Sequence, residues 1–137
     1  MNCPYKDGGK MPKSILIIED EQLITKSLSR LLKKEGYNAV ITNSGKEALE
    51  KIKEQDFDLV VSDIRMPDLD GIETIKEIRK YLAANHKAAI PEILITGYAD
   101  EEKYKEALEL KVADYIYKPF DIKDFLEAVK KNIHAEK

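Results

Sequence analysis

The sequence predicts an α/β fold in which a parallel β-sheet lies between two layers of helices. Short apolar runs alternate along the chain with longer segments whose apolar residues recur at the helical period. Strict alternation of strands and helices favours right-handed crossovers and a parallel sheet that is buried on both faces. No linker rich in Pro, Gly or Ser interrupts the 137 residues, so we expect one domain with one continuous core.

Five segments are candidate strands because they are short, apolar and bounded by turn residues. They cover residues 15–19, 38–42, 58–62, 92–96 and 113–117. A strand order of 2-1-3-4-5, as in flavodoxin-like sheets, would make the first and third strands neighbours. The predicted fold is therefore a three-layer, doubly wound (βα)5 domain of flavodoxin-like topology.

The five intervening helices are indicated by their apolar faces. In chain order these faces contain Ile24, Leu28, Leu31 and Leu32; Ala48, Leu49 and Ile52; Ile72, Ile75, Ile78 and Leu82; Tyr104, Ala107 and Leu108; and Ile122, Phe125, Leu126, Val129 and Ile133. Ser44 and Glu47 form a predicted capping box at the start of the second helix, and Gly36 marks the end of the first. The weak apolar face of the fourth helix favours a shiftable element.

Composition excludes several classes of function. The 23 basic and 26 acidic residues are interspersed and give a net charge of −3, so no basic stripe for direct nucleic-acid contact is expected. The only cysteine, Cys3, excludes an internal disulfide and favours the cytoplasm. No stretch approaches the roughly 20 apolar residues of a membrane span. Residues 1–13 lack periodicity and are predicted to be a flexible leader or residues foreign to the natural protein, which leaves 14–137 as the folded domain.

Charged residues follow three of the predicted strands. Glu19 and Asp20 end the first apolar run, Asp63 ends the third, and Lys118 follows the fifth. Because the first and third strands would be neighbours, the three acids are expected to converge at the carboxyl edge of the sheet. Carboxylates this close raise one another's pKa unless a cation neutralises them, and Mg²⁺ prefers such oxygen ligands. The sequence therefore predicts a magnesium site, although any one of these acids alone would more simply be a solvated loop residue.

The ordered set of these residues resembles the receiver domain of two-component response regulators. The resemblance covers residues 14–134 and depends on Glu19-Asp20, Asp63, Met66-Pro67, Gly71, Thr96-Gly97, Tyr115 and Lys118-Pro119. It implies that Asp63 accepts a phosphoryl group from a sensor histidine kinase or a phosphotransfer protein. The chain would then be a signalling domain rather than an enzyme, one that assists its own phosphoryl transfer and self-dephosphorylation.

The resemblance also implies a role for each residue of the pocket. Asp63 is the carboxylate nucleophile, and Lys118 is a point charge for the phosphoryl oxygens. Mg²⁺ would be held by Asp20, Asp63 and the backbone carbonyl of Arg65, with Glu19 acting directly or through a water. The bond between Lys118 and the following proline is expected to be cis, as is typical of receiver domains.

Four further residues are expected to control the signal rather than the transfer. The hydroxyl of Thr96 would move toward the phosphoryl group and leave space for the Tyr115 ring, which would change the surface of the fourth helix, fifth strand and fifth helix. Arg65 and Tyr98, two residues beyond Asp63 and Thr96, are predicted to shield the phosphoryl group from water and to slow its hydrolysis. Equally, Arg65 could pair with a nearby acid and Tyr98 could cover a loop.

Competing functions are disfavoured by specific positions. A phosphatase of the haloacid dehalogenase type needs a second aspartate where Arg65 stands, and no phosphate-binding loop of a nucleotide switch or flavin carrier is present. The remaining alternative is a degenerate receiver that acts as a phosphorylation-independent protein-binding module. Output would come from a downstream effector protein, or from an output domain if this is a receiver excised from a larger regulator or hybrid kinase. A phosphorylation-dependent homodimer is compatible with either arrangement.

Overall fold

The computed structural model describes residues 12–65, 70–97 and 101–133, with only the helical backbone described for 101–104. The strands are β1 (Ser14–Ile18), β2 (Asn38–Thr42), β3 (Leu59–Asp63), β4 (Glu92–Thr96) and β5 (Asp114–Tyr117). The helices are α1 (Gln22–Lys34), α2 (Gly45–Glu54), α3 (Gly71–Ala84), α4 (Glu101–Leu110) and α5 (Ile122–Ile133). All five predicted strands are confirmed, and their ends differ from the predicted ends by at most one residue.

The five strands form one parallel sheet in the order β2-β1-β3-β4-β5, which confirms the predicted topology. Ile18 is paired with Ser62 across β1 and β3, so the residues that follow them, Glu19 and Asp63, lie at the same level of the sheet. Thr96 is paired with Tyr117 at the ends of β4 and β5. This register brings the carboxyl ends of β1, β3, β4 and β5 to one edge.

The start of α2 and the end of α1 lie where the capping residues in the sequence predicted them. The Ser44 side chain accepts a hydrogen bond from the Glu47 N–H at 3.2 Å, and the Glu47 carboxylate accepts one from the Asn43 N–H at 2.8 Å. The second bond of this capping box is therefore displaced by one residue toward the N-terminus. Gly36 follows α1 with a φ of 93°, a left-handed conformation that glycine adopts without strain.

Successive residues of each central strand point to opposite faces of the sheet, and on each face they pack into a separate hydrophobic core. The core beneath α2, α3 and α4 contains Leu16, Ile18, Val60, Leu94, Ala48, Ile52, Ile72, Ile75, Ile78, Leu82 and Ala107. The core beneath α1 and α5 contains Ile15, Ile17, Leu59, Val61, Ile93, Ile95, Leu28, Leu32, Phe125, Val129 and Ile133. Burial of each large side chain contributes about 1.5–3 kcal/mol, so the three central strands, β1, β3 and β4, are the rigid support of the carboxyl edge.

Two residues assigned to apolar helix faces are largely exposed, and for them the prediction was wrong. Leu108 on α4 is 45% exposed and Ile122 at the start of α5 is 48% exposed. Among the described side chains of α4, only Ala107 is fully buried, which agrees with the weak apolar face predicted for this helix. Tyr104 belongs to the same predicted face, but its side chain lies outside the described part of the chain. None of the described helices has the length and apolar character needed to cross a membrane.

Candidate functional site

Three acidic side chains meet at the carboxyl edge of the sheet, where two neighbouring strands end. Asp63 is the last residue of β3, and Glu19 and Asp20 directly follow β1. One carboxylate oxygen from each lies within 4.8 Å of the others. Glu19 and Asp63 are buried, whereas Asp20 is exposed. The structure thus brings together the three acids that the sequence predicted to converge.

The carboxylate of Asp63 is held from two sides. Its Oδ2 atom accepts a hydrogen bond from the Lys118 amine at 2.7 Å, and its Oδ1 atom accepts one from the backbone N–H of Arg65 at 3.1 Å. Only 5% of Asp63 is exposed. A carboxylate bound to both a cation and a backbone donor has a fixed orientation, as an in-line nucleophile requires.

Gly71 allows the start of α3 to lie directly against the end of β3. Its N–H donates a hydrogen bond to the Ile64 carbonyl at 2.7 Å. A Cβ atom at this position would lie 2.2 Å from the Asp63 carbonyl oxygen and 2.9 Å from the Ile64 Cα atom. No side chain fits there without moving the backbone that carries Asp63. The sequence motif included Gly71, but the pattern did not reveal this reason for it.

Glu19 is a buried acid with an unsatisfied oxygen. Its Oε2 atom accepts a hydrogen bond from the backbone N–H of Glu21 at 3.1 Å, whereas its Oε1 atom is buried without a hydrogen-bond donor. The Lys118 amine lies 3.7 Å from that oxygen. Burial, followed by the nearby negative charge of Asp63, raises the pKa of Glu19 to about 7. The Lys118 amine alone therefore does not offset the burial of Glu19 and the charge of Asp63.

Lys118 is the amine shared by the acids of this pocket. Besides Asp63 and Glu19, it contacts the Glu21 carboxylate at 3.3 Å. Burial alone would lower the pKa of Lys118, but its hydrogen bond to Asp63 and the surrounding negative charges raise it instead. The peptide bond between Lys118 and Pro119 is cis, as expected. Glu21 was not among the predicted site residues, because its partner Lys118 lies 97 residues further along the chain.

The two predicted switch residues have different surroundings. Thr96 is buried at the end of β4, and its hydroxyl donates a hydrogen bond to the Gly97 carbonyl at 2.9 Å. Tyr115 on β5 is half-buried, and its hydroxyl donates one to the Ala107 carbonyl of α4 at 2.7 Å. The hydroxyl of Tyr115 is therefore tied to α4 in this structure.

Of the two residues predicted to control phosphoryl lifetime, Arg65 lies within the described part of the chain. Arg65 is exposed beside the pocket, and its backbone N–H donates to the Asp63 carboxylate. Tyr98 lies outside the described residues, as do Met66 and Pro67 of the motif.

An open apolar groove of about 620 Å³ adjoins the acidic pocket. It lies between the start of α1 and the segment that connects β5 to α5. The lining residues that matter here are Leu23, Ile24, Lys118, Phe120 and Ile122. Leu23 is 84% exposed and Ile122 is 48% exposed, so this groove presents apolar side chains to solvent. Lys118 belongs to both the groove and the pocket, so the two are continuous.

Comparisons with known proteins agree with this geometry. Residues 15–130 match the family model described as the response regulator receiver domain. The transcriptional regulatory protein ZraR of Escherichia coli (strain K12) is 44% identical over 114 residues, which are 83% of this chain and 24% of that protein. The chain thus spans about a quarter of the length of this curated relative.

Two solved structures have the same fold over nearly their whole length. A CheY-like response regulator receiver domain protein from Methanospirillum hungatei JF-1 superposes with a TM-score of 0.80 at 32% identity, covering 90% of this chain and 94% of that one. The signal receiver domain of a signal transduction histidine kinase from Syntrophus aciditrophicus has a TM-score of 0.81 at 28% identity, covering 91% and 92%.

The doubly wound sheet with acids at its carboxyl edge defines the class of CheY-like signalling domains. The chain belongs to the response regulator receiver domain family of two-component systems.

Proposed function

We propose that this receiver domain is an active phosphoacceptor in which Asp63 takes the phosphoryl group of a sensor kinase or phosphotransfer protein. The observation that carries the proposal is the Asp63 carboxylate, buried and held between the Lys118 amine at 2.7 Å and the Arg65 N–H at 3.1 Å. A degenerate receiver would have no need for a nucleophile and a cation at this distance. The reaction is proposed to occur in the cytoplasm.

The side chains support a direct displacement at phosphorus. A carboxylate oxygen of Asp63 forms the new bond, while the bond from phosphorus to the donor histidine nitrogen breaks and its electron pair stays on that nitrogen. Lys118 turns from Asp63 toward the phosphoryl oxygens, whose charge it then balances. Its contacts with three carboxylates hold the amine at the place where that charge arrives.

The residues present fit a bound Mg²⁺. Three carboxylates offer only oxygen ligands, and the buried Oε1 atom of Glu19 has no hydrogen-bond donor. We propose that Asp20, Asp63 and the backbone carbonyl of Arg65 hold the ion, with Glu19 directly or through a water. When bound, Mg²⁺ supplies the positive charge that lets a phosphoryl group approach these acids.

We propose that the apolar groove receives a helix of the histidine donor. The groove is continuous with the pocket through Lys118, so a helix lying on Leu23 and Phe120 would carry its histidine close to Asp63. An amphipathic helix with an apolar face fits such an exposed apolar surface. Substitution of Leu23 by Ser should slow transfer from a phosphorylated sensor kinase and leave labelling by acetyl phosphate unchanged. Equal rates of kinase transfer for the parent and this variant would exclude the groove as the docking surface.

The change of surface is proposed to pass from Thr96 through Tyr115 to α4. The Ala107 carbonyl is one of the last four of α4, which lack a donor within the helix. The N–H of Lys111 donates to Leu108 at 3.2 Å, and the Tyr115 hydroxyl donates to Ala107. If Thr96 moves toward the phosphoryl group and Tyr115 rotates, α4 loses this cap. The α4–β5–α5 surface would then change for a downstream effector, an attached output domain or a second copy of the chain.

The experiment is intact-mass measurement after incubation with acetyl phosphate and Mg²⁺. The parent should gain one phosphoryl group, and Asp63→Asn or EDTA should abolish the gain. Asp56→Asn, at the opposite edge of the sheet, removes the same charge and should be labelled like the parent. An unlabelled parent beside a labelled reference receiver, also unlabelled by phosphorylated kinases, would support the phosphorylation-independent binding module instead.

A further inference from the structure

We infer that Glu21 is a positioning residue through which the pocket selects among small phosphoryl donors by their charge. The inference rests on the proposed phosphoacceptor function. The Glu21 carboxylate lies 3.3 Å from the Lys118 amine, while Asp63 lies 2.7 Å from the same amine. The Glu21 side chain is 60% exposed and that of Asp63 only 7%. Lys118 is therefore shared between the buried nucleophile and an acid at the mouth of the pocket.

The Glu21 side chain is not needed to start α1. Glu21 occupies the N-cap position, where short polar side chains usually accept a hydrogen bond from the first turn, but its carboxylate makes no such bond. Its backbone makes the local contacts instead, since its carbonyl accepts from the Thr25 N–H at 3.0 Å and its N–H donates to Glu19 at 3.1 Å. Loss of the carboxylate charge leaves both of these bonds in place. The side chain is thus available for Lys118.

A negative charge at this position acts against an incoming anion in two ways. It repels the donor directly, and it holds the Lys118 amine that must turn toward the phosphoryl oxygens. The direct repulsion grows with the negative charge of the donor, whereas the hold on Lys118 slows both donors alike. Acetyl phosphate is a dianion at neutral pH, whereas phosphoramidate is a monoanion because its nitrogen carries a proton. The pocket should therefore disfavour acetyl phosphate relative to phosphoramidate.

Both donors transfer the same group to the same atom. An oxygen of Asp63 bonds to phosphorus in each case. With acetyl phosphate the bond from phosphorus to the acyl oxygen breaks and acetate leaves with the electron pair. With phosphoramidate the bond from phosphorus to the protonated nitrogen breaks and ammonia leaves. No further reactant is required, so a difference between the donors reports on their charge and leaving group, and only the charge component depends on Glu21.

The test compares initial labelling rates of the parent and Glu21→Gln, measured by intact mass at saturating Mg²⁺, neutral pH and low donor concentration. From the Coulomb interaction at this range, the variant should be labelled about fivefold faster by acetyl phosphate and about twofold faster by phosphoramidate. Salt at about 0.5 M should remove most of both gains, because the interacting charges are exposed to solvent.

Two matched variants separate charge from structure. Glu21→Asp keeps the charge and should retain the donor preference of the parent. Glu50→Gln removes one negative charge from the exposed face of α2 and should also behave like the parent. Unchanged rates in Glu21→Gln, or equal acceleration with both donors that salt does not alter, would overturn the inference. If the parent is labelled, such a result leaves the phosphoacceptor function standing; an unlabelled parent would overturn both.

Discussion

The hydroxyl of Tyr115 donates a 2.7 Å hydrogen bond to the backbone carbonyl of Ala107 in the last turn of α4. This bond joins the residue expected to rotate on phosphorylation to the helix expected to move. Among the described side chains of α4 only Ala107 is fully buried, so we expect one cap to be a large part of what stabilises the C-terminal turn of this helix. Under the proposed switch, the same side chain would respond to the pocket and stabilise the surface that partners contact.

Removal of this hydroxyl should loosen the end of α4. We expect Tyr115→Phe to lower the free energy of unfolding by about 1 kcal/mol, the usual contribution of one hydrogen bond. Amide hydrogen exchange in the last turn of α4 should accelerate by about fivefold. Exchange through local opening in β1 and β3 should stay at the rate of the parent. Tyr37→Phe, a tyrosine that packs on the opposite core, is the control. Equal protection of α4 in the parent and Tyr115→Phe would show that the hydroxyl does not cap this helix.

Gly71 and Asp63 are in backbone contact, and this contact predicts a sensitive position away from the pocket side chains. A methyl group at Gly71 would lie 2.2 Å from the Asp63 carbonyl oxygen. Gly71→Ala should therefore shift α3 or the end of β3, lower the free energy of unfolding by about 3 kcal/mol and slow labelling of Asp63. Urea unfolding followed by circular dichroism, with initial labelling rates, measures both effects.

The chain offers a matched control for this substitution at the end of β4. A Cβ atom at Gly97 would meet no heavy atom within 4 Å. Gly97→Ala should leave the urea midpoint almost unchanged. A Gly71→Ala protein as stable as Gly97→Ala would mean that α3 is free to move away from β3.

The fold was predictable because its signals are local and periodic. Alternating apolar runs determined the strands, and the capping residues Ser44 and Gly36 determined helix ends. The exposed positions of Leu108 and Ile122 were not predictable, since a helical period gives the apolar face but not the width of the surface it covers. The bidentate ion pair between Arg79 and the buried Glu92 was also missed, because it joins α3 to the start of β4 across 13 residues of sequence.

The candidate site was predictable as a set of residues but not as a set of contacts. Strand ends and topology were enough to place Glu19, Asp20 and Asp63 together, because the strand order makes β1 and β3 neighbours and parallel strands end at the same edge of the sheet. The orientation of each carboxylate was not predictable, since it depends on which of its oxygens accepts from which donor. The contact of Glu21 with Lys118 joins side chains 97 residues apart, and no pattern in the sequence indicates it.

The buried carboxyl of Glu19 predicts that folding stability and Mg²⁺ binding depend on pH in opposite ways. Its pKa is about 7 in the folded chain, against an ordinary value of 4.5. Between these values the folded state holds a proton that the unfolded state has lost, so without Mg²⁺ the free energy of unfolding should fall by about 2 kcal/mol as pH rises from 4.5 to 7. Mg²⁺ held as proposed needs the ionised carboxyl of Glu19, so the increase in melting temperature on adding Mg²⁺ should grow as pH rises through 7. Glu19→Gln should flatten the first dependence and weaken the Mg²⁺ effect, whereas Glu50→Gln should alter neither. Thermal unfolding across this pH range, with and without Mg²⁺, measures both, and a parent whose stability rises over the same interval would contradict the assignment to Glu19.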